Sequence, residues 1–238
     1  MATTCLSVDI GNSRVKAALV KAGEIVEGRV FRTRRQLHAW RITYPELPLY
    51  AIDTRGAPAW RALVLDLDGY FLEAKEGLPF PTRYAPTLGP DRCAALVALF
   101  YTALKPLVYL SFGTALTGDV LDAQGRHLGG FISPGLALRL RALHQHTGRL
   151  PALSLPPPEL PTWGTTTPEA IWIGAFRGLL AEIQYHLALA RSNLGSYQLY
   201  ISGGEAPRFQ SHLPQPLTFV PNLTLIGVWH WQRFLFGD

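Results

Sequence analysis

Residues 107–135 read LVYLSFGTALTGDVLDAQGRHLGGFISPG, and glycines separate runs of apolar and alternating residues in this segment. Apolar runs that end at tight glycine turns are typical of β-hairpins. The segment therefore predicts a strand, a turn at Gly113, a second strand, a turn at Gln124-Gly125 and a third strand. Short hydroxyl side chains stand beside the first turn, where a glycine backbone can approach a phosphate group.

The first part of the chain repeats this arrangement. Residues 4–31, TCLSVDIGNSRVKAALVKAGEIVEGRVF, place three glycines 102 positions before their counterparts in the later segment (113 − 11, 125 − 23 and 130 − 28). The same offset matches Ser111 with Asp9, so the later hairpin lacks the acid that heads the first turn of the earlier one. We interpret the two segments as copies of one unit.

Helical patterns fill the intervals between the predicted strands. The segments with apolar residues at helical spacing are residues 91–105, 135–150 and 167–193. The last of these is expected to begin with Thr167 as its N-cap, because Pro168 and Glu169 follow it.

Strands that alternate with helices, duplicated once, predict a particular fold class. We expect two α/β domains stacked side by side, an N-terminal one over residues 1–105 and a C-terminal one over residues 106–238. A cleft between the two domains is the natural place for a ligand.

Composition limits the classes of ligand. The chain has 238 residues, of which 48% are hydrophobic and 16% charged, so we expect a compact globule. The formal charge of +5 and the pI of about 9.4 favour an acidic ligand such as a nucleotide. Nucleic acid is not expected as a partner, because residues 31–41 hold the one dense arginine cluster, which we interpret as the solvated face of a short helix.

Two cysteines, Cys5 and Cys93, are too few for a disulfide framework and lack partners at metal-binding spacing. They are expected to be small buried side chains in a reducing compartment. The sequence begins without a signal-peptide pattern and lacks an apolar run of about 20 residues. A cytoplasmic protein that does not bind membranes is therefore expected.

Two glycine-centred turns, DIGNS and FGTALT, are the first candidates for chemistry. The chain has neither a P-loop nor a Rossmann fingerprint, so phosphate binding would depend on these turns. Short donors flank them: Asn12, Ser13, Thr114 and Thr117. Asp9 could hold Mg²⁺ through water, since Mg²⁺ prefers oxygen ligands and retains several waters. From the residues alone, ordinary hairpin turns remain an equal alternative.

The stretch YAPTLGPDR, residues 84–92, is the second candidate. Asp91 and Arg92 follow Gly89-Pro90 and open a predicted helix. An arginine at a helix N-terminus opposes the helix dipole, which makes more sense if the arginine binds an anion such as a carboxylate. The alternative is an ordinary aspartate N-cap beside a solvated arginine.

Five motifs resemble one family, in the family's order and over nearly the whole chain. They are DIGNSR, LGPDR, FGTALTGDVLDAQGRHLGGFISPG, TTTPEAIWIG and ISGGEA, and they resemble type III pantothenate kinase. The resemblance implies the fold of the actin/Hsp70/sugar-kinase superfamily, with two duplicated actin-like (ribonuclease H-like) α/β domains and a nucleotide cleft between them. The motifs are also similar to those of the Bvg accessory factor proteins.

The resemblance implies an activity and its residues. The activity is ATP-dependent phosphorylation of pantothenate to 4′-phosphopantothenate, the first step of coenzyme A biosynthesis, with Asp91 as the catalytic base. The implied ATP-binding residues are Asp9, Ile10, Gly11, Asn12, Ser13, Arg14, Val15, Lys16, Thr114, Gly203 and Gly204. The implied pantothenate-binding residues are Tyr84, Gly89, Pro90, Asp91, Arg92 and Thr167.

The resemblance also implies cations, with one departure. Asp9 would hold Mg²⁺. Ser111 stands where the family has an aspartate linked to an activating monovalent cation, K⁺ or NH₄⁺, so serine supplies an oxygen there without a charge. Two alternatives follow: a non-catalytic nucleotide-binding homologue that acts as a regulatory partner, and a kinase for another small hydroxy acid.

Family members are dimers, so the resemblance implies a homodimer. Trp229 and Trp231 alternate in GVWHW near the C-terminus, a pattern that we interpret as an edge strand or a dimer contact.

Overall fold

The computed structural model describes residues 4–84 and 86–237. The chain forms two compact units. The first contains the chain up to Ala103, together with Gly125–His127 and the segment from Asn222 onward; the second contains Leu104–Gln124 and Leu128–Pro221.

The first unit is built on a five-stranded sheet in the order β3-β2-β1-β4-β5. Its strands are β1 (Thr4–Ile10), β2 (Val15–Lys21), β3 (Glu24–Phe31), β4 (Leu49–Asp53) and β5 (Gly69–Phe71). Its helices are α1 (Arg34–Ile42), α2 (Pro58–Asp66), α3 (Pro90–Thr102) and the C-terminal α7 (Leu223–Phe236). The first three strands are antiparallel, and β4 and β5 are parallel to β1.

The second unit has the sheet order β10-β9-β6-β7-β8. Its strands are β6 (Leu107–Phe112), β7 (Ala115–Leu121), β8 (His127–Pro134), β9 (Gln198–Ser202) and β10 (Leu217–Phe219). Its helices are α4 (Leu136–Gln145), α5 (Thr167–Leu194) and α6 (Ala206–Phe209). Buried residues of α5, among them Leu179 and Ile183, pack on the face of the sheet that carries Leu110 and Ile201.

The two sheets have the same topology, since β6 to β10 follow one another in space as β1 to β5 do. The predicted duplication of an α/β unit is therefore confirmed. The Ala22-Gly23 turn has positive φ at both residues (51° and 83°), as a type I′ hairpin requires.

The first strands of the two hairpins, β1 and β6, correspond at an offset of 102 positions. The second strands, β2 and β7, correspond at a different offset. Asp9 faces Lys16 across β1 and β2, whereas Ser111 faces Thr117 across β6 and β7. Lys16 therefore corresponds to Thr117, an offset of 101 positions (117 − 16). Between these paired positions the second hairpin has one residue fewer than the first, and it has a neutral pair where the first has an acid opposite a base.

The segment with Trp229 and Trp231 is a helix, so the interpretation as an edge strand or dimer contact is wrong. Both indoles are buried, because α7 packs on α3 and on β1, β2 and β4. A helix that is buried on most sides has no polar face, so its sequence shows no clear helical period. The same packing joins residues 222–237 to the first unit, whereas the sequence-based division assigned them to the C-terminal domain.

The N-cap of helix α5 lies one residue earlier than predicted. Thr166, not Thr167, is the N-cap: its hydroxyl accepts the Glu169 N–H at 3.4 Å, and the Glu169 carboxylate accepts the Thr166 N–H at 3.1 Å. In this reciprocal capping box the acid is the third residue after the cap, which is true of Thr166 and not of Thr167. Helices α3 and α4 end at Thr102 and Gln145, before the predicted ends at 105 and 150.

Candidate active site

Asp9 lies at the end of β1, where its two carboxylate oxygens have different surroundings. Oδ2 accepts a hydrogen bond from the Thr224 hydroxyl at 3.0 Å. Oδ1 is buried and has no hydrogen-bond partner among the described residues. Burial raises the pKa of Asp9 to about 6; the Thr224 bond opposes this rise, the charge of Asp91 adds to it, and Lys16 opposes it. A buried carboxylate oxygen that lacks a partner is suited to a cation or its water.

The turn after Asp9 is tight and open to solvent. The Gly11 N–H donates to the Arg14 carbonyl at 3.1 Å, and residues 12–14 are exposed. A Cβ at Gly11 would lie 3.2 Å from that carbonyl, so a larger residue would crowd the turn. Lys16 faces Asp9 from β2, and its ammonium donates to the Asn222 side-chain oxygen at 3.3 Å.

The start of α3 holds Asp91 and Arg92. The Asp91 carboxylate accepts the N–H of Arg92 at 2.9 Å, and a Cβ at Gly89 would lie 2.8 Å from that carboxylate. Arg92 is only 4% exposed, and its guanidinium donates to the Tyr84 hydroxyl at 3.3 Å. The alternative of a solvated arginine is therefore excluded. A buried guanidinium next to a carboxylate can hold an anion beside a base.

Tyr84 is held by two residues that the sequence did not indicate. Its N–H donates to the Thr82 hydroxyl at 3.0 Å, and that hydroxyl lies 2.9 Å from Nδ1 of His127. The His127 ring is 1% exposed and stacks on the Tyr84 ring, with 6.0 Å between centroids. His127 lies 45 positions from Thr82 in sequence, and no local motif connects them.

In the second unit, Thr114 lies in the turn between β6 and β7. The Gly135 N–H donates to the Thr114 carbonyl at 3.0 Å, and a Cβ at Gly135 would lie 2.3 Å from the Gly113 carbonyl. The turn therefore depends on a glycine just before α4.

Gly203 and Gly204 follow β9 and lie beside the end of β6. A Cβ at Gly203 would lie 2.3 Å from the Phe112 carbonyl, which accepts the Glu205 N–H at 3.2 Å. Since Phe112 precedes Gly113, the double glycine and the Thr114 turn are neighbours. The structure thus brings together three predicted nucleotide-binding residues of this unit: Thr114, Gly203 and Gly204.

Ser111 lies on a polar face of the second sheet. It pairs with Thr117 on one side and Ser202 on the other, and the buried Thr117 hydroxyl has no hydrogen-bond partner in the described chain. Asp119 is fully buried and faces Tyr109, two residues before Ser111, so it shares that face. Asp122 instead accepts the Gln124 N–H at 3.0 Å and stabilises a turn.

Thr167 is exposed and begins α5, directly after the Thr166 cap. Gly164 precedes it, and a Cβ there would lie 2.5 Å from the Ala170 nitrogen, so the loop passes close to the first turn of the helix. Across residues 4–84 and 86–237, no three His, Cys, Asp or Glu side chains cluster as a metal site. A Mg²⁺ ion at Asp9 would therefore need water or phosphate oxygens as its other ligands.

The duplicated α/β fold of this chain is shared with solved structures, among them a kinase. A solved structure of a ROK family glucokinase from Streptomyces griseus, in complex with glucose and AMPPNP, aligns with a TM-score of 0.54 at 11% identity, covering 94% of this chain and 97% of that one. A Campylobacter jejuni protein described as a Baf family transcriptional activator aligns with a TM-score of 0.67 at 21% identity, covering 96% and 98%. At these identities the similarity establishes the fold alone.

Sequence comparison identifies the family. The family model "Type III pantothenate kinase" matches residues 60–188, more than half of the chain. A type III pantothenate kinase of Laribacter hongkongensis is 33% identical over 237 residues, covering 96% of this chain and 98% of its own. The chain belongs to the type III pantothenate kinase family. None of the helices in the described residues, α5 included, is both long and apolar enough to cross a bilayer.

Proposed function

We propose that the protein transfers the γ-phosphoryl group of ATP to the primary hydroxyl of pantothenate, forming 4′-phosphopantothenate in the first step of coenzyme A biosynthesis. Membership of the type III pantothenate kinase family supports this activity. The single structural observation that carries the proposal is Arg92, a buried guanidinium one residue from Asp91 at the start of α3. A kinase whose substrate carries both a carboxylate and a reactive hydroxyl needs such a pair.

Asp91 is the proposed base. The pantothenate hydroxyl oxygen attacks the γ-phosphorus as the bond to the β–γ bridging oxygen breaks, and the hydroxyl proton passes to the Asp91 carboxylate. Arg92 holds the pantothenate carboxylate, and Tyr84 keeps the guanidinium in place through its hydrogen bond. Gly89 and Pro90 let the substrate approach the start of α3, and Thr167 contributes a hydroxyl.

The two glycine turns bind ATP in this proposal. Residues 9–16 supply backbone N–H groups and the charges of Asp9 and Lys16, and the second unit supplies Thr114, Gly203 and Gly204. Mg²⁺, when bound, neutralises phosphate charge; the buried Oδ1 of Asp9, which lacks a partner among the described residues, supports Asp9 as the residue that holds it.

The monovalent cation is the part of the family pattern that this chain changes. The neutral pair of Ser111 and Thr117 supports a kinase with weakened or altered dependence on K⁺ or NH₄⁺. We further propose a cytoplasmic homodimer, on the resemblance to dimeric family members.

The test is direct. Purified protein with ATP, Mg²⁺ and pantothenate should form phosphopantothenate, detected by mass spectrometry, at every K⁺ and NH₄⁺ concentration tested. Asp91→Asn should reduce kcat at least about 100-fold, in the usual range for loss of a general base. Asp66→Asn, an exposed residue at the end of α2, is the matched control and should be unchanged.

Absence of turnover across the whole cation titration would refute the proposal. A regulatory partner without catalysis, suggested by Ser111, is excluded as the sole role if the gene rescues a strain that lacks its own pantothenate kinase. Turnover with other hydroxy acids but not with pantothenate would instead identify a different substrate.

A further inference from the structure

Asn222 and Thr224, at the start of α7, contact two charged residues of the first hairpin, Lys16 and Asp9. Thr224 donates its hydroxyl hydrogen to Oδ2 of Asp9 at 3.0 Å, and Asn222 accepts the Lys16 ammonium at 3.3 Å. Asp9 and Lys16 face each other across β1 and β2. These contacts join residues 215 and 206 positions apart in sequence, so the end of the chain stabilises the turn near its beginning.

The Thr224 hydrogen bond fixes which oxygen of Asp9 stays available. A carboxylate whose oxygens accept no hydrogen bond can rotate about its last side-chain torsion angle, which has a broad energy profile. With Oδ2 held by Thr224, Oδ1 keeps one direction, and it is the oxygen that is buried without a partner among the described residues. Thr224 therefore holds Asp9 in a fixed orientation with one oxygen free for a ligand.

Asn222 has a conformation that suits contact with Lys16. Its backbone is left-handed (φ 54°, ψ 31°), and within the described chain its side chain makes no capping bond to α7 although it stands at the N-cap position. An asparagine that accepts from a lysine on a strand, rather than from the N–H groups of its own helix, forgoes a favourable local interaction. The contact instead holds the Lys16 ammonium at the start of α7.

Helix α7 is itself held firmly against α3, whose second residue is Asp91. A Cβ at Gly227 would lie 1.9 Å from the Ala94 carbonyl, so the backbones of α7 and α3 touch. Gly227 lies three residues after Thr224, and Ala94 lies three residues after Asp91, about one helical turn in each case. A contact at Thr224 therefore positions Asp9 relative to the helix that carries the proposed base.

We propose that Thr224 is a positioning residue for Mg²⁺-nucleotide: it holds Asp9 so that Oδ1 receives the cation or its water. This inference depends on the proposed function only in taking Mg²⁺-ATP as the ligand of the first hairpin. It gives the Thr224 hydroxyl a specific role, which is to orient the Asp9 carboxylate.

The experiment measures nucleotide binding, separately from turnover. Binding of adenylyl-imidodiphosphate is followed by calorimetry at increasing Mg²⁺ for wild type, Thr224→Val and Thr224→Ser. In Thr224→Val, the Mg²⁺ concentration that gives half of the maximal increase in nucleotide affinity should be about tenfold higher than in wild type. A hydrogen bond to a charged group commonly changes an equilibrium constant by this factor or more. Thr224→Ser should remain within about twofold of wild type, because it keeps the hydroxyl. Binding in EDTA should be equal in all three proteins.

The matched control is Thr102→Val, which removes a hydroxyl at the far end of α3, about 16 Å along the helix from Asp91. It should leave the Mg²⁺ dependence unchanged. An unchanged Mg²⁺ dependence in Thr224→Val overturns the inference. So does equal loss in Thr224→Val and Thr224→Ser with a fall in melting temperature, because that result indicates a purely structural role.

Failure of the proposed function gives a different result. If wild type binds the nucleotide with Mg²⁺ and the two Thr224 variants differ as expected, but pantothenate is never phosphorylated, the proposed function fails and the role of Thr224 stands. If wild type phosphorylates pantothenate and Thr224→Val shows wild-type Mg²⁺ dependence, the role of Thr224 fails alone. If Mg²⁺ does not enhance nucleotide binding in wild type, the role of Thr224 fails, and turnover of pantothenate alone decides the proposed function.

Discussion

Asp9 is a buried carboxylate, which is unfavourable for its charged form, and it is also the proposed Mg²⁺ ligand. Burial raises its pKa to about 6 from an ordinary value of 3.8. Because the folded protein then favours the protonated carboxyl, the stabilising contribution of this group is fully present below about pH 4 and is lost as the pH rises through about 6. Above that pH the folded protein without ligand holds a buried charge, which Mg²⁺ can offset.

Replacing Asp9 with asparagine should remove this pH dependence. At pH 7.5, without nucleotide or Mg²⁺, Asp9→Asn should raise the free energy of unfolding by about 3 kcal/mol, since each unit of pKa shift corresponds to about 1.4 kcal/mol. Near pH 4 the two proteins should have equal stability. Urea unfolding at both pH values measures the difference, and a constant difference between the proteins would contradict the assignment. Kinase activity should be lost in the variant.

Ser111→Asp tests the change in the second hairpin. The variant restores an acid to the position that corresponds to Asp9, opposite Thr117, and should increase the activation of the kinase by K⁺ or NH₄⁺ severalfold. Ser111→Asn has nearly the same size without the charge, and its cation response should stay at the wild-type level. Initial rates across a K⁺ titration provide the measurement. If Ser111→Asp leaves the cation response unchanged, the interpretation of this position is wrong.

Residues of the candidate site differ in how far the sequence predicts them. Asp91 and Arg92 are adjacent and form part of a motif, so the sequence indicates both; burial of Arg92 then excludes the solvated alternative. His127 and Thr224 contact their partners over 45 and 215 positions. Contacts of that separation depend on tertiary packing, and no local pattern records them.

At the scale of elements, the start of α5 gives two adjacent threonines different roles. Thr166 forms the capping box with Glu169, whereas Thr167 is the first helical residue and the proposed pantothenate contact. The sequence predicts the helix and its acid correctly, but three consecutive threonines leave the cap position ambiguous by one residue. The reciprocal bond to Glu169 decides it.

Alanine substitutions distinguish the two threonines. Thr166→Ala should lower the free energy of unfolding by about 1 kcal/mol, as loss of an N-cap does, and leave the KM for pantothenate near wild type. Thr167→Ala should have the reverse effect, with unchanged stability and a KM raised at least severalfold. Chemical unfolding and steady-state kinetics on the same preparations provide both values. A raised KM in Thr166→Ala with none in Thr167→Ala would reverse the assignment.

At the scale of the whole molecule, the sequence predicts the duplicated topology and misses the return of the chain to its first unit. Glycines at turns are local signals, so they indicate both copies of the hairpin. Helix α7 has no such signal, because it is apolar on most sides and its place depends on the sheet that it covers. Leu225 and Trp229 pack against Cys5, Ala18 and Val20 of β1 and β2, so α7 covers this face of the sheet.

Removal of α7 should therefore unfold the first unit selectively. Cys5 and Cys93 are both fully buried and both belong to that unit, and burial raises the pKa of the Cys5 thiol to about 12. Since the thiolate is the reactive form, the intact protein should react with Ellman's reagent very slowly. A chain that ends at Pro221 should expose both thiols and react at the rate seen for the full chain in urea. Cys5 and Cys93 lie on β1 and α3, which α7 covers. If the shortened chain still protects both cysteines, α7 is not needed to keep the first unit folded.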